Sequence, residues 1–309
     1  MVSRIQLIIT FTLLVLGSYF LFSDGLGTFV ARSTKELWNL GHVVYFALLG
    51  YLVLKLGVFK RFNLGIQWLL LLSLSLLWGT LIEVLQYDTQ RTPDVFDIFR
   101  DMTGCLLVLT FYPGLLRLSS NAGQLLIRLA VFVLLLLQLV PLSIALIDEA
   151  IARHQFPVLS GFETPFEIDR WSGGEVIRLD DNSDQQQLKV SLTTAIYSGV
   201  GLKYFPSDWR EYKQVKLRFF NPSTSDLTLV IRIHDAKHVT GSYAYAYNDR
   251  FNLKVILNQG WSDKVISLVD VESAPRTRKM DLGNIVDISF FSIRLPEPKT
   301  IYLDSIGLQ

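Results

Sequence analysis

Residues 83–104 read EVLQYDTQRTPDVFDIFRDMTG. An apolar run leads into Glu83, and another leaves from Met102. Between and into them the chain places Glu83, Gln86, Arg91, Asp94, Asp97, Arg100 and Asp101. Ionisable groups at a membrane boundary are costly unless they pair or line a polar cavity, so they are functional candidates by default. The stretch therefore reads as the link between two membrane helices, with polarity concentrated where they meet.

On either side of it the 309-residue chain divides into unlike halves. Long apolar runs fall at 5–22, 40–59, 66–86, 94–118 and 124–147. Each approaches the roughly 20 residues that a bilayer crossing needs. They predict a five-helix transmembrane bundle over residues 1–150, followed by an all-β domain over 151–309. The first run has only Arg4 as a basic flank and no small-residue cleavage site after Phe22, so it reads as an uncleaved anchor. A net charge of +1 without a basic stripe argues against a nucleic-acid partner. The single cysteine, Cys105, excludes a disulfide within the chain.

The fourth run is the unusual one. Its purely apolar part is too short to cross alone and contains Pro113. Thr92 suits an N-cap and Pro93 a first helical position, which predicts a helix from Pro93 to Leu118. At about 100° per residue, Asp94, Asp97, Asp101 and Gly104 share one face, flanked by Arg100. Gly79, Glu83 and Gln86 share a face on the preceding helix. The two glycines allow these faces to approach closely. Loop Lys and Arg counts barely decide orientation, but the compact Lys60–Arg61 turn favours a cytoplasmic N-terminus. With five crossings, the C-terminal domain and the 83–101 cluster then lie outside the cytoplasm, together with His42.

The pattern Glu83-x2-Gln86-x4-Arg91-x5-Asp97-x6-Gly104, with His42 opening an upstream helix, resembles the VanZ-like membrane domain over roughly residues 35–118. Asp101 stands where that family usually has Asn, and Asn39 where it commonly has Lys. The resemblance implies a protein of the bacterial cytoplasmic membrane that binds or shields an envelope amphiphile, and a link to teicoplanin-type resistance. It supplies no reaction.

The residues themselves leave three readings open. The cluster is a structural ion network, or a site for an amphiphile headgroup gripped by the arginines, or a catalytic site with His42 as base and Glu83 or Asp97 as acid. No Ser or Cys nucleophile motif and no metal-ligand spacing is present, which places catalysis last.

From Phe162 the apolar period becomes two. Strands are expected at 188–192, 215–220, 227–233, 286–295 and 301–308. Asn221-Pro222, Asn258-Gln259-Gly260 and the Pro296/Pro298 segment separate them, which predicts a β-sandwich of jelly-roll size. Gly161-Phe162-Glu163, Asp208-Trp209 and Tyr302-Leu303-Asp304 resemble the galactose-binding-like jelly rolls found as carbohydrate-binding modules. That resemblance implies a structural calcium held in part by Glu163 and Asp304, although calcium takes six or more oxygens and the alternative is two solvated carboxylates. Tyr243, Tyr245 and Tyr247 alternate with alanines. On a strand they would project from one face about 7 Å apart. They form either a sugar-stacking stripe, with Asp235, His238 and Asn248 as hydrogen-bonding neighbours, or a stripe packed on the sandwich. Trp209 and Trp261 read as core or edge packing. Expected partners are membrane lipids and an envelope glycan or lipid-linked amphiphile; the alternatives are a membrane enzyme and a plain anchor for a glycan-binding module.

Overall fold

The computed structural model describes residues 4–22, 30–87, 94–117, 120–178, 186–240 and 246–309. The chain divides into two compact units, Met1–Ala145 and Leu146–Gln309. The helical half consists of α1 (Arg4–Phe22), α2 (Arg32–Asn39), α3 (Gly41–Leu56), α4 (Leu64–Tyr87), α5 (Val95–Phe111) and α6 (Asn121–Gln155), the last running past the division. Among the described residues, six helices thus stand where five runs were expected. The extra one is α2, which Leu40 separates from α3. Gly57, at φ +71°, ends α3 in the left-handed conformation that glycine adopts without strain.

The acidic helix α5 differs from expectation at both ends. Thr92 and Pro93 lie outside the described residues. The N-cap is Asp94, whose carboxylate accepts the Phe96 N–H at 2.9 Å. The helix stops at Phe111 rather than Leu118, because Tyr112 precedes Pro113 and is driven into an extended conformation (φ −68°, ψ 129°).

Among the described residues, three helical stretches are long and apolar enough to cross a membrane: Arg32–Leu56, Leu64–Gln86 and Asn121–Gln155. On α6, Leu125, Leu126, Leu129, Phe132 and Leu137 are all exposed. A helix apolar on every side must lie in a core or in lipid, and exposure on this scale fits a membrane protein.

Two glycines set the helix spacing. A side chain at Gly104 would overlap the Val43 carbonyl oxygen and crowd the Ala47 nitrogen, so α5 lies backbone-close to α3. A side chain at Gly79 would overlap the Asp101 carboxylate. The expected approach of the two glycine faces is therefore realised differently: Gly104 admits α3, and Gly79 leaves room for Asp101.

The second unit is a two-layer antiparallel sandwich. Its strands are β1 (Val158–Ser160), β2 (Glu175–Arg178), β3 (Gln186–Leu192), β4 (Tyr197–Leu202), β5 (Gln214–Asn221), β6 (Leu227–Asp235), β7 (Phe251–Leu257), β8 (Gly260–Ser267), β9 (Ile285–Ile293) and β10 (Lys299–Leu308). One sheet is ordered β2-β3-β10-β5-β8, with β1 also on β10; the other is ordered β4-β9-β6-β7. Each expected strand is present within a residue or two of its expected ends. The alternation predicted for residues 227–233 puts Leu227, Leu229, Ile231 and Ile233 in the core with Phe219, Phe290, Leu303 and the fully buried Trp209. Burying each aliphatic side chain contributes roughly 1.5–3 kcal/mol, which sets the facing of the strands.

Buried polar groups fasten the edges. Asn221 donates to the carbonyls of Ser225 and Leu257 at 3.1 and 3.0 Å, tying two turns together. Arg170 forms a two-pronged pair with Asp148 through its Nε and Nη2 at 2.7–3.1 Å. Glu167 Oε2 accepts from Ser160 Oγ and from the N–H groups of Gly161 and Phe162.

Candidate functional site

In the helical unit, three helices supply one polar cluster. His42 sits in the first turn of α3, Glu83 in the last turns of α4, and Asp97, Arg100 and Asp101 in the first turns of α5. All five side chains are buried. His42 Nδ1 lies 2.9 Å from Asp101 Oδ1, and His42 Nε2 lies 3.6 Å from Asp97 Oδ2. Glu83 Oε2 accepts the Asp94 N–H at 2.8 Å, so it braces the cap of α5. Among the described residues, the buried Glu83 Oε1 and Asp101 Oδ2 have no hydrogen-bond partner. Each such group forfeits water without replacement, which costs on the order of 1–3 kcal/mol or more for a charged group.

Arg100 is already engaged. It donates to Asp97 Oδ1, and it pairs with Asp94 at 3.5 Å and Glu36 at 4.0 Å. Among the described residues, the cluster also holds acceptor oxygens without a partner, Glu83 Oε1 and Asp101 Oδ2, which suit a donor or a cation. Gln86 donates to the Leu21 carbonyl of α1 at 2.7 Å. Arg91 lies outside the described residues. One ligand atom each from His42, Glu83 and Asp97 lies within 4.8 Å of the others. No local motif could show this, because the three ligands come from three helices.

In the sandwich unit, Tyr243 and Tyr245 lie outside the described residues. Tyr247 lies in a 3-10 turn, Tyr247–Asp249, and not on a strand. The alternation failed there because Asp249 is drawn inward. Arg278 bonds both oxygens of Asp235 at 2.5 and 2.7 Å and both of Asp249 at 2.8 Å. His238 Nδ1 lies 3.3 Å from Asp249 Oδ2. Asp235 and His238 are thus buried in an ion cluster. Hydrogen bonds from Arg278 hold the Asp249 carboxyl below its usual range. Burial holds His238 and His234 below theirs, against the opposing pull of Asp249 and Asp287 respectively. Glu163 is exposed, whereas Asp304 is buried and accepts from Gln187 at 3.1 Å. Trp209 is core, and Trp261 is a half-exposed edge residue under the Arg218 guanidinium.

Sequence reading missed the outer face of the four-stranded sheet. Tyr197 and Tyr247 are 68% and 64% exposed, a strong departure for large aromatics. The Tyr197 ring meets Phe291 edge-on at 5.8 Å, the Arg232 guanidinium lies 5.9 Å from Phe291, and that of Arg250 lies 5.7 Å from Tyr247. Arg232 on β6 pairs in register with Asn252 on β7 and Ser289 on β9. Among the described residues, the buried Arg232 Nε, Arg250 Nε and Asn252 Oδ1 have no hydrogen-bond partner, while Arg232 Nη2 donates to Asp287 and Ser289. Burial and the neighbouring Arg232 charge push the Arg250 pKa down. The alternation of β6, with Arg232 and His234 facing away from the core, was the available signal.

No family model and no curated protein matches the chain. Among solved structures, the C-terminal region resembles carbohydrate-binding-module jelly rolls. A family 11 carbohydrate-binding module from Clostridium thermocellum, in complex with a β-1,3-1,4-mixed-linked tetrasaccharide, is 15% identical; the match covers 49% of this chain and 93% of that one, with a TM-score of 0.35. A family 30 module of a cellulosomal cellulase of the same organism is 13% identical over 45% of this chain and 86% of that one, at a TM-score of 0.32. An exo-β-agarase is 15% identical over 49% of this chain and 24% of its own, at 0.39.

Proposed function

We propose that the chain is a membrane protein of the bacterial envelope whose sandwich domain, exported from the cytoplasm, binds an anionic glycan. The observation that carries this is the pairing of the exposed Tyr197 and Tyr247 with unpartnered Arg232 Nε, Arg250 Nε and Asn252 Oδ1 on one sheet face. Aromatic faces stack on sugar rings, while the guanidinium N–H groups and the amide oxygen suit carboxylate or phosphate and hydroxyl groups. In the same proposal the helical half is a VanZ-like domain that holds or shields an envelope amphiphile, as in teicoplanin-type resistance. The test is retention of the purified full-length protein, in nanodiscs, on cell-wall glycan preparations. Retention should fall at least tenfold in Tyr247→Ala and Arg250→Gln. Retention equal to that of Tyr247→Ala in the unmodified protein sinks the glycan part.

A second reading, a membrane enzyme, is favoured by one observation: the 2.9 Å contact between His42 Nδ1 and Asp101 orients the imidazole as a general base is oriented. Product formation from lipid-linked envelope substrates, lost in His42→Gln, separates it from binding alone.

A further inference from the structure

The cluster on α3, α4 and α5 has an electrostatic problem that its own hydrogen bonds do not solve. Asp101 Oδ1 lies 2.9 Å from His42 Nδ1, and an ionised carboxylate there accepts a hydrogen bond from Nδ1–H. A neutral imidazole held this way turns its Nε2 lone pair outward, and 3.6 Å away stands Asp97 Oδ2, another acceptor. The other Asp97 oxygen is occupied by Arg100. Glu83, 6% exposed, contributes the unpartnered Oε1. Among the described residues, Arg100 pairs with Asp97, Asp94 and Glu36. Buried acceptors that face one another are stabilised by a positive centre between them.

We propose that His42, Glu83 and Asp97 bind a divalent transition-metal ion, with Asp101 as the carboxylate that orients His42. One ligand atom from each of the three residues lies within 4.8 Å of the others. Two ligands on one tetrahedral zinc, at bonds of about 2.0–2.2 Å, stand about 3.3–3.6 Å apart, which the His42–Asp97 separation of 3.6 Å already meets. Glu83 closes the remaining distance by a small side-chain movement. One imidazole with two carboxylates selects a borderline or harder ion, zinc or manganese, over copper(I) or calcium. Three protein ligands leave a fourth position open, the arrangement of sites that act on a ligand rather than of purely structural ones. The Asp101–His42 contact is the second layer that metal-bound histidines carry, and it fixes the tautomer that coordinates. Gly79 belongs to the same device, since any side chain there would strike the Asp101 carboxylate.

The test uses the full-length protein in nanodiscs, stripped with chelator and titrated with Zn²⁺ or Mn²⁺ alone, with bound metal counted by mass spectrometry. The expected result is one equivalent per chain. Glu83→Gln and Asp97→Asn, nearly isosteric, should weaken binding at least tenfold, and Asp101→Asn about 10–100-fold. Circular dichroism and size exclusion establish that the variants fold. If they do not, Co²⁺ substitution of the unmodified protein decides, through visible bands of nitrogen and oxygen coordination that Zn²⁺ displaces. Substoichiometric metal, equal retention in Glu83→Gln, or cobalt without such bands overturns the proposal and leaves an imidazolium ion network in its place. No amphiphile or glycan is present in these titrations, so they fail or succeed independently of the glycan and amphiphile proposal.

Discussion

Gly104 shows how one missing side chain determines a site. Its Cα faces the Val43 carbonyl and the Ala47 nitrogen of α3, backbone atoms that cannot rotate away. Because of that approach, Asp101, three residues earlier on α5, reaches His42 at 2.9 Å. Gly104→Ala is expected to separate α3 from α5 and destabilise the helical unit by roughly 1–3 kcal/mol, the usual cost of overpacking. Thermal unfolding of the full chain in detergent measures this, and an unchanged midpoint would contradict the packing described. The glycine was visible in the sequence as a member of the Asp97–Asp101–Gly104 face, but its partner was not. Helical periodicity tells which residues share a face and is silent on which helix that face meets. The same silence hid the His42–Glu83–Asp97 grouping, whose members are 41 and 14 positions apart along the chain.

At the scale of elements, the core strands were legible because burial on one face forces period two, as at Leu227, Leu229, Ile231 and Ile233. The tyrosine segment misled because Tyr247–Asp249 follows a stronger local demand. Asp249 is pulled into the clamp of Arg278, and that turns the backbone into a 3-10 turn. The same β6–β7 region has a defined response to acid. His234 and His238, their rings 4.7 Å apart, both have pKa values lowered by burial. In the unfolded chain they titrate near 6.5. As the pH falls below about 6.5, the unfolded state therefore binds protons that the folded state refuses, and sandwich stability declines. Asp249 and Asp281 are lowered as well, by Arg278 and by Asn284 and neighbouring donors respectively. Their contribution is present above the unfolded carboxylate range, about 3.9, and is lost as the pH falls below it. Melting curves of the full chain should thus show a first decline from about pH 6.5 and a second below about pH 4. His234→Gln should flatten the first and leave the second. A midpoint constant between pH 7.5 and 5.5 would contradict the burial of both imidazoles.

At the scale of the whole molecule, sequence and structure agree on an apolar helical half and an all-β half, and differ in how many helices qualify as crossings. Composition alone counted five apolar runs. Three described stretches combine the length and the hydropathy, and α5 stops at Phe111, before Pro113. Topology is therefore decided by where the loops lie rather than by counting runs. With the sandwich outside the cytoplasm and α5 crossing together with α4 and α6, as proposed, the α3–α4 turn with Lys60 and Arg61 lies inside, in keeping with the enrichment of Lys and Arg in short cytoplasmic loops. The chain suits a labelling test, since its one native cysteine, Cys105, is buried and contributes little background. Thr240→Cys and Asn258→Cys, both at exposed positions of the sandwich, should react with a membrane-impermeant maleimide on intact cells. Arg61→Cys, also exposed, should react only after lysis. The reverse pattern would place the sandwich in the cytoplasm and remove the envelope glycan as its ligand. Labelling of all three on intact cells would mean that the helices between Arg61 and the sandwich do not cross as an odd number.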